Sequence, residues 1–268
     1  MSDAGRDAGF WALAVFGALV AAFLLLPLVI LCVQSFTAES YLSFPPPSYG
    51  LRWYQEVMTA EEWREAAGTS LAIAAIVTPL SLILGTLAAL GLDRGPMRGR
   101  NLIYGALISP MILPHIVLGL GIFRIALQMN IDDSLLSIVP AHLTITIPFV
   151  VISVGASLQG FDTGLERAAR SLGATPVQAF WHVTLPIVRP GLVGGGIFAF
   201  IISFDEFIIT YFLAVQTATL PLEIFASLRY QVSPAIAAVS ALTVAASAAL
   251  TVALLMRGQV MAGGRIVK

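Results

Sequence analysis

The chain has 268 residues, 58% of them hydrophobic and only 11% charged, with 14 Lys and Arg against 15 Asp and Glu and a mean hydropathy of +0.90. A domain wetted on every side carries about a quarter of its residues as charges, so this composition excludes a water-soluble fold. Six apolar stretches reach the roughly 20 residues that cross a hydrocarbon core, at 11–33, 69–92, 102–127, 137–158, 191–214 and 235–256. None shows the apolar–polar alternation of a barrel strand, and lipid offers a bare backbone no hydrogen-bond partner, so each is expected to be helical. The expected fold class is all-α, a single polytopic membrane domain over 1–268.

The first stretch is too long for the apolar core of a secretion signal, and no small-residue cleavage pattern closes it, so it is read as a span. Cys32, the one cysteine, lies inside it and has no internal disulfide partner. Next comes the longest external segment, "TAESYLSFPPPSYGLRWYQEVMTAEEWREAAG", whose three consecutive prolines break any helix. Trp53, Tyr54 and Trp63 within it read as members of an interfacial aromatic belt.

The third stretch is interrupted by Pro110 and Pro114 in "SPMILPHIVLG". Broken helices at membrane depth persist where they face protein or a water-filled path. His115, directly after Pro114, therefore has two open roles, a place on such a path or helix packing. Arg124, further along the same stretch, either reaches the headgroups and the acids Asp132 and Asp133 or lines the path, where it would favour an anionic or zwitterionic solute. In the fourth stretch, His142 reads as a hydrogen bonder between helices. The three histidines have neither paired spacing nor nearby cysteines, so no metal site is expected.

The connection at 159–190, "QGFDTGLERAARSLGATPVQAFWHVTLPIVRP", is longer than a simple link between spans needs. It holds a helix-favouring run at 165–172, Gly173 as a stop, and Thr175-Pro176 as a fresh helix start. Such a helical hairpin, with Ala168, Ala169, Leu172, Phe180 and Trp181 in reach of solvent, calls for a protein partner. The alternative is an amphipathic segment on the inner leaflet, held there by Arg167 and Arg170.

The fifth stretch opens on "GLVGGGIF", where small residues let helix backbones approach. Its middle, "FIISFDEFIITYFL", carries Asp205 and Glu206. A carboxylate at bilayer depth is costly unless it pairs, meets water or takes up a proton, which makes both functional candidates. On a continuous helix neighbours point about 100° apart. Ser203, Glu206 and Thr210 would then share one polar stripe while isoleucines flank Asp205, a periodicity that favours Glu206 as the pathway residue. With the N-terminus inside, ten Lys and Arg (positions 6, 94, 98, 100, 167, 170, 189, 257, 265 and 268) fall in the cytoplasm and only Arg52, Arg64 and Arg229 outside. N-in, C-in is the expected topology.

The run "ERAARSLGATPVQAFWHVTLP" resembles the EAA loop of permease subunits in binding-protein-dependent ABC importers. Ala168, Ala169, Gly173, Ala174, Phe180, Leu185 and Pro186 match the pattern, whereas its glutamate falls at Arg167, with Glu166 one position earlier. With "LISPMILPHIVLG", "SFDEF" and "TLPLEIFASLRYQVSPAIAAVSAL", the resemblance covers nearly the whole chain and is nearest to the second permease of spermidine/putrescine importers. It implies the type I importer permease fold in the bacterial inner membrane. It also implies a second, related permease, two copies of a cytoplasmic ATPase on the EAA loops, and an extracytoplasmic binding protein, with no nucleic acid involved. Permeases for neutral sugars often keep an acid at the position of Glu206 with Asn at that of Asp205. This implies that Asp205 tracks substrate charge while Glu206 serves gating or structure.

ATP and Mg are expected on the partner, not here. A phosphate-binding P-loop needs a lysine after its glycines, and the only lysine is Lys268. The expected function is thus a non-enzymatic permease for a small organic cation such as a polyamine. The alternatives are another amine, an amino-acid derivative or a zwitterion, or a secondary carrier that uses Asp205 and Glu206 as ion sites. The long connection weighs against a carrier, which has no use for a docking hairpin.

Overall fold

The computed structural model describes residues 3–95, 98–214, 217–230 and 233–263. Arg265 and Lys268 lie outside the described residues, as do the side chains of Arg6 and Arg257. The described residues are helical, with no strand beyond an isolated bridge between Thr37 and Tyr49. In chain order the helices are α1 (Asp3–Gln34), α2 (Arg52–Thr59), α3 (Glu61–Arg94), α4 (Arg100–Ile108), α5 (His115–Met129) and α6 (Leu135–Leu158). They continue with α7 (Gly164–Ser171), α8 (Pro176–Ala179), α9 (Leu185–Phe204), α10 (Ile208–Leu213), α11 (Leu220–Tyr230) and α12 (Ala235–Gly263). Five helical segments are long and apolar enough to span a membrane, and a sixth span forms if the pair Arg100–Met111 and His115–Met129 counts as one.

The chain divides into two compact units, one of Met1–Arg64 with Ile224–Ala246 and one of Glu65–Glu223 with Ser247–Lys268. In the first, α1 is apolar all round and its side chains are exposed from Phe10 to Leu28, as suits a helix surrounded by lipid. The external segment after it folds on itself. Trp53 is buried and its Nε1 donates to the Glu39 carbonyl at 2.9 Å, while the Tyr54 hydroxyl meets Ser35 Oγ at 2.6 Å. Trp63 is buried as well. The expected belt is therefore corrected for Trp53 and Trp63, which are buried, while Tyr54 is half-buried; a buried indole needs a polar partner, and for Trp53 this loop supplies one inside the chain.

In the second unit, glycines set the helix spacing. A Cβ at Gly191 would stand 2.5 Å from the Ser153 carbonyl oxygen, and one at Gly195 would stand 3.1 Å from Val150 Cα. A Cβ at Gly85 of α3 would likewise stand 2.6 Å from Val150 Cβ. The glycine-rich opening of the fifth stretch thus packs backbone against backbone, the arrangement that substitutes for hydrophobic collapse where lipid is the solvent. Two apolar clusters complete the packing. One joins Ile73, Val77, Ile138, Ile145, Ile209 and Leu213, and the other Ala89, Val150, Val154, Leu158, Val188 and Ala199.

Two spans are broken. In the third, α4 passes into a tight turn at Ser109–Met111, α5 starts at His115, and the two legs bend by 98°. Pro110 and Pro114 cause this, because proline lacks the N–H that would continue the ladder and disfavours helix in the residue before it. The fifth span differs from the sequence expectation at its start and in the middle. Helix runs unbroken from Pro176 to Phe204 through a π turn at Phe180–Thr184, so Leu185 and Pro186 already belong to it. It then stops at Asp205, and α10 restarts at Ile208.

Candidate functional site

The hairpin at 164–186 is built by local signals. α7 closes on Gly173, which takes φ +92°, with Gly173 N bonded to the Arg170 carbonyl at 3.0 Å and Ala174 N to the Ala169 carbonyl at 3.1 Å. This pair of bonds is the Schellman cap, and the left-handed residue within it is one that glycine adopts without steric cost. Two residues later a capping box starts α8. Gln178 N donates to Thr175 Oγ1 at 3.3 Å, Thr175 N donates to Gln178 Oε1 at 2.8 Å, and Pro176 takes the first helical position.

The charges of the hairpin split by direction. Glu166 turns inward, pairs with Arg94 at 2.7 Å and accepts the Thr184 hydroxyl. Arg94 also lies 5.8 Å from the Phe161 ring centroid. Arg167 and Ala168 face solvent, whereas Ala169, Ala174, Phe180, Leu185 and Pro186 are half-buried. Leu172, 90% exposed, and Trp181, 59% exposed, form the apolar tip, with Trp181 edge-on to Phe180 at 5.7 Å. No local pattern in the sequence links Glu166 to Arg94, 72 positions away, or to Thr184, 18 positions on.

The second assembly sits where the fifth span breaks. Glu206 is buried, and its Oε1 accepts the Ile209 N–H at 2.7 Å, which caps α10. Its Oε2 lies 3.3 Å from Nδ1 of His115, the first residue of α5, so the breaks of the third and fifth spans meet at this contact. Asp205, the next residue back, is exposed; among the described residues its carboxylate accepts no hydrogen bond and forms no ion pair.

The expected stripe of Ser203, Glu206 and Thr210 is replaced by two separate contacts, because the helix on which it was drawn is interrupted. Ser203 and Thr210 are buried on His142, whose Nδ1 is 3.0 Å from Ser203 Oγ and whose Nε2 is 2.9 Å from Thr210 Oγ1. Arg124 is exposed on α5 and forms no ion pair among the described residues. Asp133 instead accepts the backbone N–H of Thr217 at 3.3 Å.

Residues 81–260 match the family described as binding-protein-dependent transport system inner membrane component. The putrescine transport system permease protein PotI of Escherichia coli strain K12 is 33% identical over 232 residues, which cover 84% of this chain and 82% of that protein. The spermidine/putrescine transport system permease protein PotC of Haemophilus influenzae is 31% identical over 235 residues, 87% of this chain and 91% of its own length. A solved bacterial ABC transporter, involved in the import of the acidic polysaccharide alginate, is similar in fold with a TM-score of 0.73 at 17% identity, covering 96% of this chain and 98% of that one. A family match over most of the chain, together with relatives aligned along most of both lengths, settles membership: this multi-pass membrane protein belongs to the inner membrane components of binding-protein-dependent ABC importers.

Proposed function

We propose that the chain forms half of a translocation pathway for a small organic cation of the polyamine class across the bacterial cytoplasmic membrane, with both termini inside. A second, related permease completes the pathway, an extracytoplasmic binding protein delivers the solute, and two copies of a cytoplasmic ATPase bind the Mg and hydrolyse the ATP. The chain itself catalyses nothing. The observation that carries the reading is the division of labour at the break. Glu206 is occupied by α10 and His115, while Asp205 stands exposed beside it, with no ion pair or hydrogen bond among the described residues. An ammonium group leaving water needs a countercharge, and an acid not engaged by the protein supplies one. The names of the two polyamine permeases above support the same solute class. In this reading His115 fixes Glu206, and Ser203 and Thr210 support the break from behind.

On the cytoplasmic side, Arg167, Ala168 and Ala169 present the face of α7, Gly173 and Ala174 shape the turn, and Phe180, Leu185 and Pro186 carry motion into α9. Glu166 ties the hairpin to Arg94 at the end of α3. Proteoliposomes holding the complete transporter, with ATP inside and the binding protein outside, test the proposal. Saturable, ATP-dependent uptake of radiolabelled putrescine or spermidine is expected. Uptake of neither by the unmutated transporter overturns the substrate class.

A further inference from the structure

We propose that His142 is a positioning residue for translocation, one imidazole that pins both sides of the break and so holds Asp205 in its exposed orientation. The proposal rests on the reading of Asp205 as a pathway residue. His142 is 1% exposed in α6, and both ring nitrogens are occupied, one by Ser203 at the end of α9 and the other by Thr210 near the start of α10. On an uninterrupted helix these hydroxyl-bearing residues would stand about 10 Å apart along the axis. A single ring reaches both only because the chain turns out of the helix at 205–207.

A neutral imidazole offers one donor and one acceptor, and each hydroxyl can play either part, so both contacts are satisfied without charge. The ring is itself held in place. Thr146 Oγ1 donates to the His142 carbonyl at 2.8 Å, and Ser81 Oγ of α3 lies 2.7 Å from Thr146 Oγ1. Because the single proton of Thr146 goes to that carbonyl, Ser81 donates to Thr146. The chain of bonds runs from α3 through α6 to both arms of the broken span, buried throughout, and closed polar networks of this kind rigidify what they join.

The test uses the assembled transporter in nanodiscs with Cys32→Ser, so that thiols of this chain are only those introduced. Asp205→Cys reports the break, Tyr41→Cys in the external segment serves as control, and a charged, membrane-impermeant maleimide is followed on the permease band. Adding His142→Leu, which removes both bonds, is expected to slow labelling at 205 by about tenfold, and His142→Asn, which keeps a donor and an acceptor, by about threefold or less. Labelling at 41 stays constant. An unchanged rate at 205 in His142→Leu overturns the proposal, as does equal slowing at 205 and 41, which marks a general loss of structure. Should His142→Leu fail to assemble, Ser203→Ala and Thr210→Val each remove one bond, and unchanged labelling at 205 in both overturns it equally. Failure of putrescine uptake would remove the substrate class and leave the labelling result standing.

Discussion

The hairpin at 164–186 and the broken span at 203–210 each hold an acidic residue whose neighbour faces outward, but they do so by different means. In the hairpin the geometry comes from residues within a few positions of one another: a Schellman cap on Gly173, a capping box on Thr175 and Gln178. The long-range contacts run to Arg94, which Glu166 pairs with and which also donates to Thr184 Oγ1 at 3.3 Å. In the broken span almost nothing is local beyond the cap of α10. His142, His115 and the α6 network hold it from 61 or more positions away. A self-sufficient hairpin can move as a body against a partner, whereas a break held by distant helices responds whenever those helices shift.

The largest effects are expected where distant contacts converge on one buried group. Glu206→Leu leaves the Ile209 N–H without its acceptor and His115 without its partner, at a cost of about 1–3 kcal/mol for the buried donor. Uptake of any solute should be lost in proteoliposomes. Glu206→Gln keeps an acceptor for Ile209 and should retain part of the activity. Wild-type uptake in Glu206→Leu would show that the break does not depend on this cap.

Asp205→Asn removes an exposed charge that forms no hydrogen bond or ion pair among the described residues, so assembly and basal ATP hydrolysis should be unchanged. Putrescine uptake should fall by about tenfold or more, the scale of losing a hydrogen bond to a charged group. Full uptake by this variant would refute charge selection at 205.

The same contrast decides what was legible in the sequence. Composition and the six apolar stretches imply the all-helical class, and Gly173 and Thr175-Pro176 announce their own caps, so the hairpin could be drawn within a residue of its observed start. Pro110 and Pro114 likewise announce the third-span break. No proline or glycine lies between Phe198 and Leu213, so the break at Asp205 has no local signature, and a continuous helix was the natural reading. Beyond the local Glu206 cap its causes are tertiary: the His115 contact on that carboxylate and the two-sided grip of His142. Trp53 was misplaced for the same reason, since its acceptor, the Glu39 carbonyl, is invisible in a hydropathy pattern.

A smaller effect is expected in the hairpin from Gly173→Val. The backbone there has φ +92°, and a β-branched residue held in that region costs about 1–3 kcal/mol, although nothing crowds the position. The strain should loosen the α7–α8 turn and lower substrate-stimulated ATP hydrolysis several-fold, while the break, built elsewhere, keeps its labelling pattern at 205. Unchanged co-purification of the ATPase together with unchanged stimulated hydrolysis would count against a coupling role for the turn.

The smallest effect is expected at Arg167, and it separates the two faces of α7. Arg167 points into solvent while Glu166 is held by Arg94 and Thr184, so the acid that the family pattern places at 167 is already represented, one residue earlier, by an inward strut. Arg167→Glu should therefore change transport by about twofold or less, in keeping with the modest worth of exposed charges. Ala169→Trp should fail to couple, because Ala169 is half-buried and its small side chain admits a close approach that an indole does not. Measured side by side as putrescine uptake and ATPase co-purification, equal behaviour of the two variants would show that α7 has no distinct docking face. A large loss in Arg167→Glu alone would instead mean that the outward arginine, and not the alanine face beside it, makes the decisive contact with the ATPase.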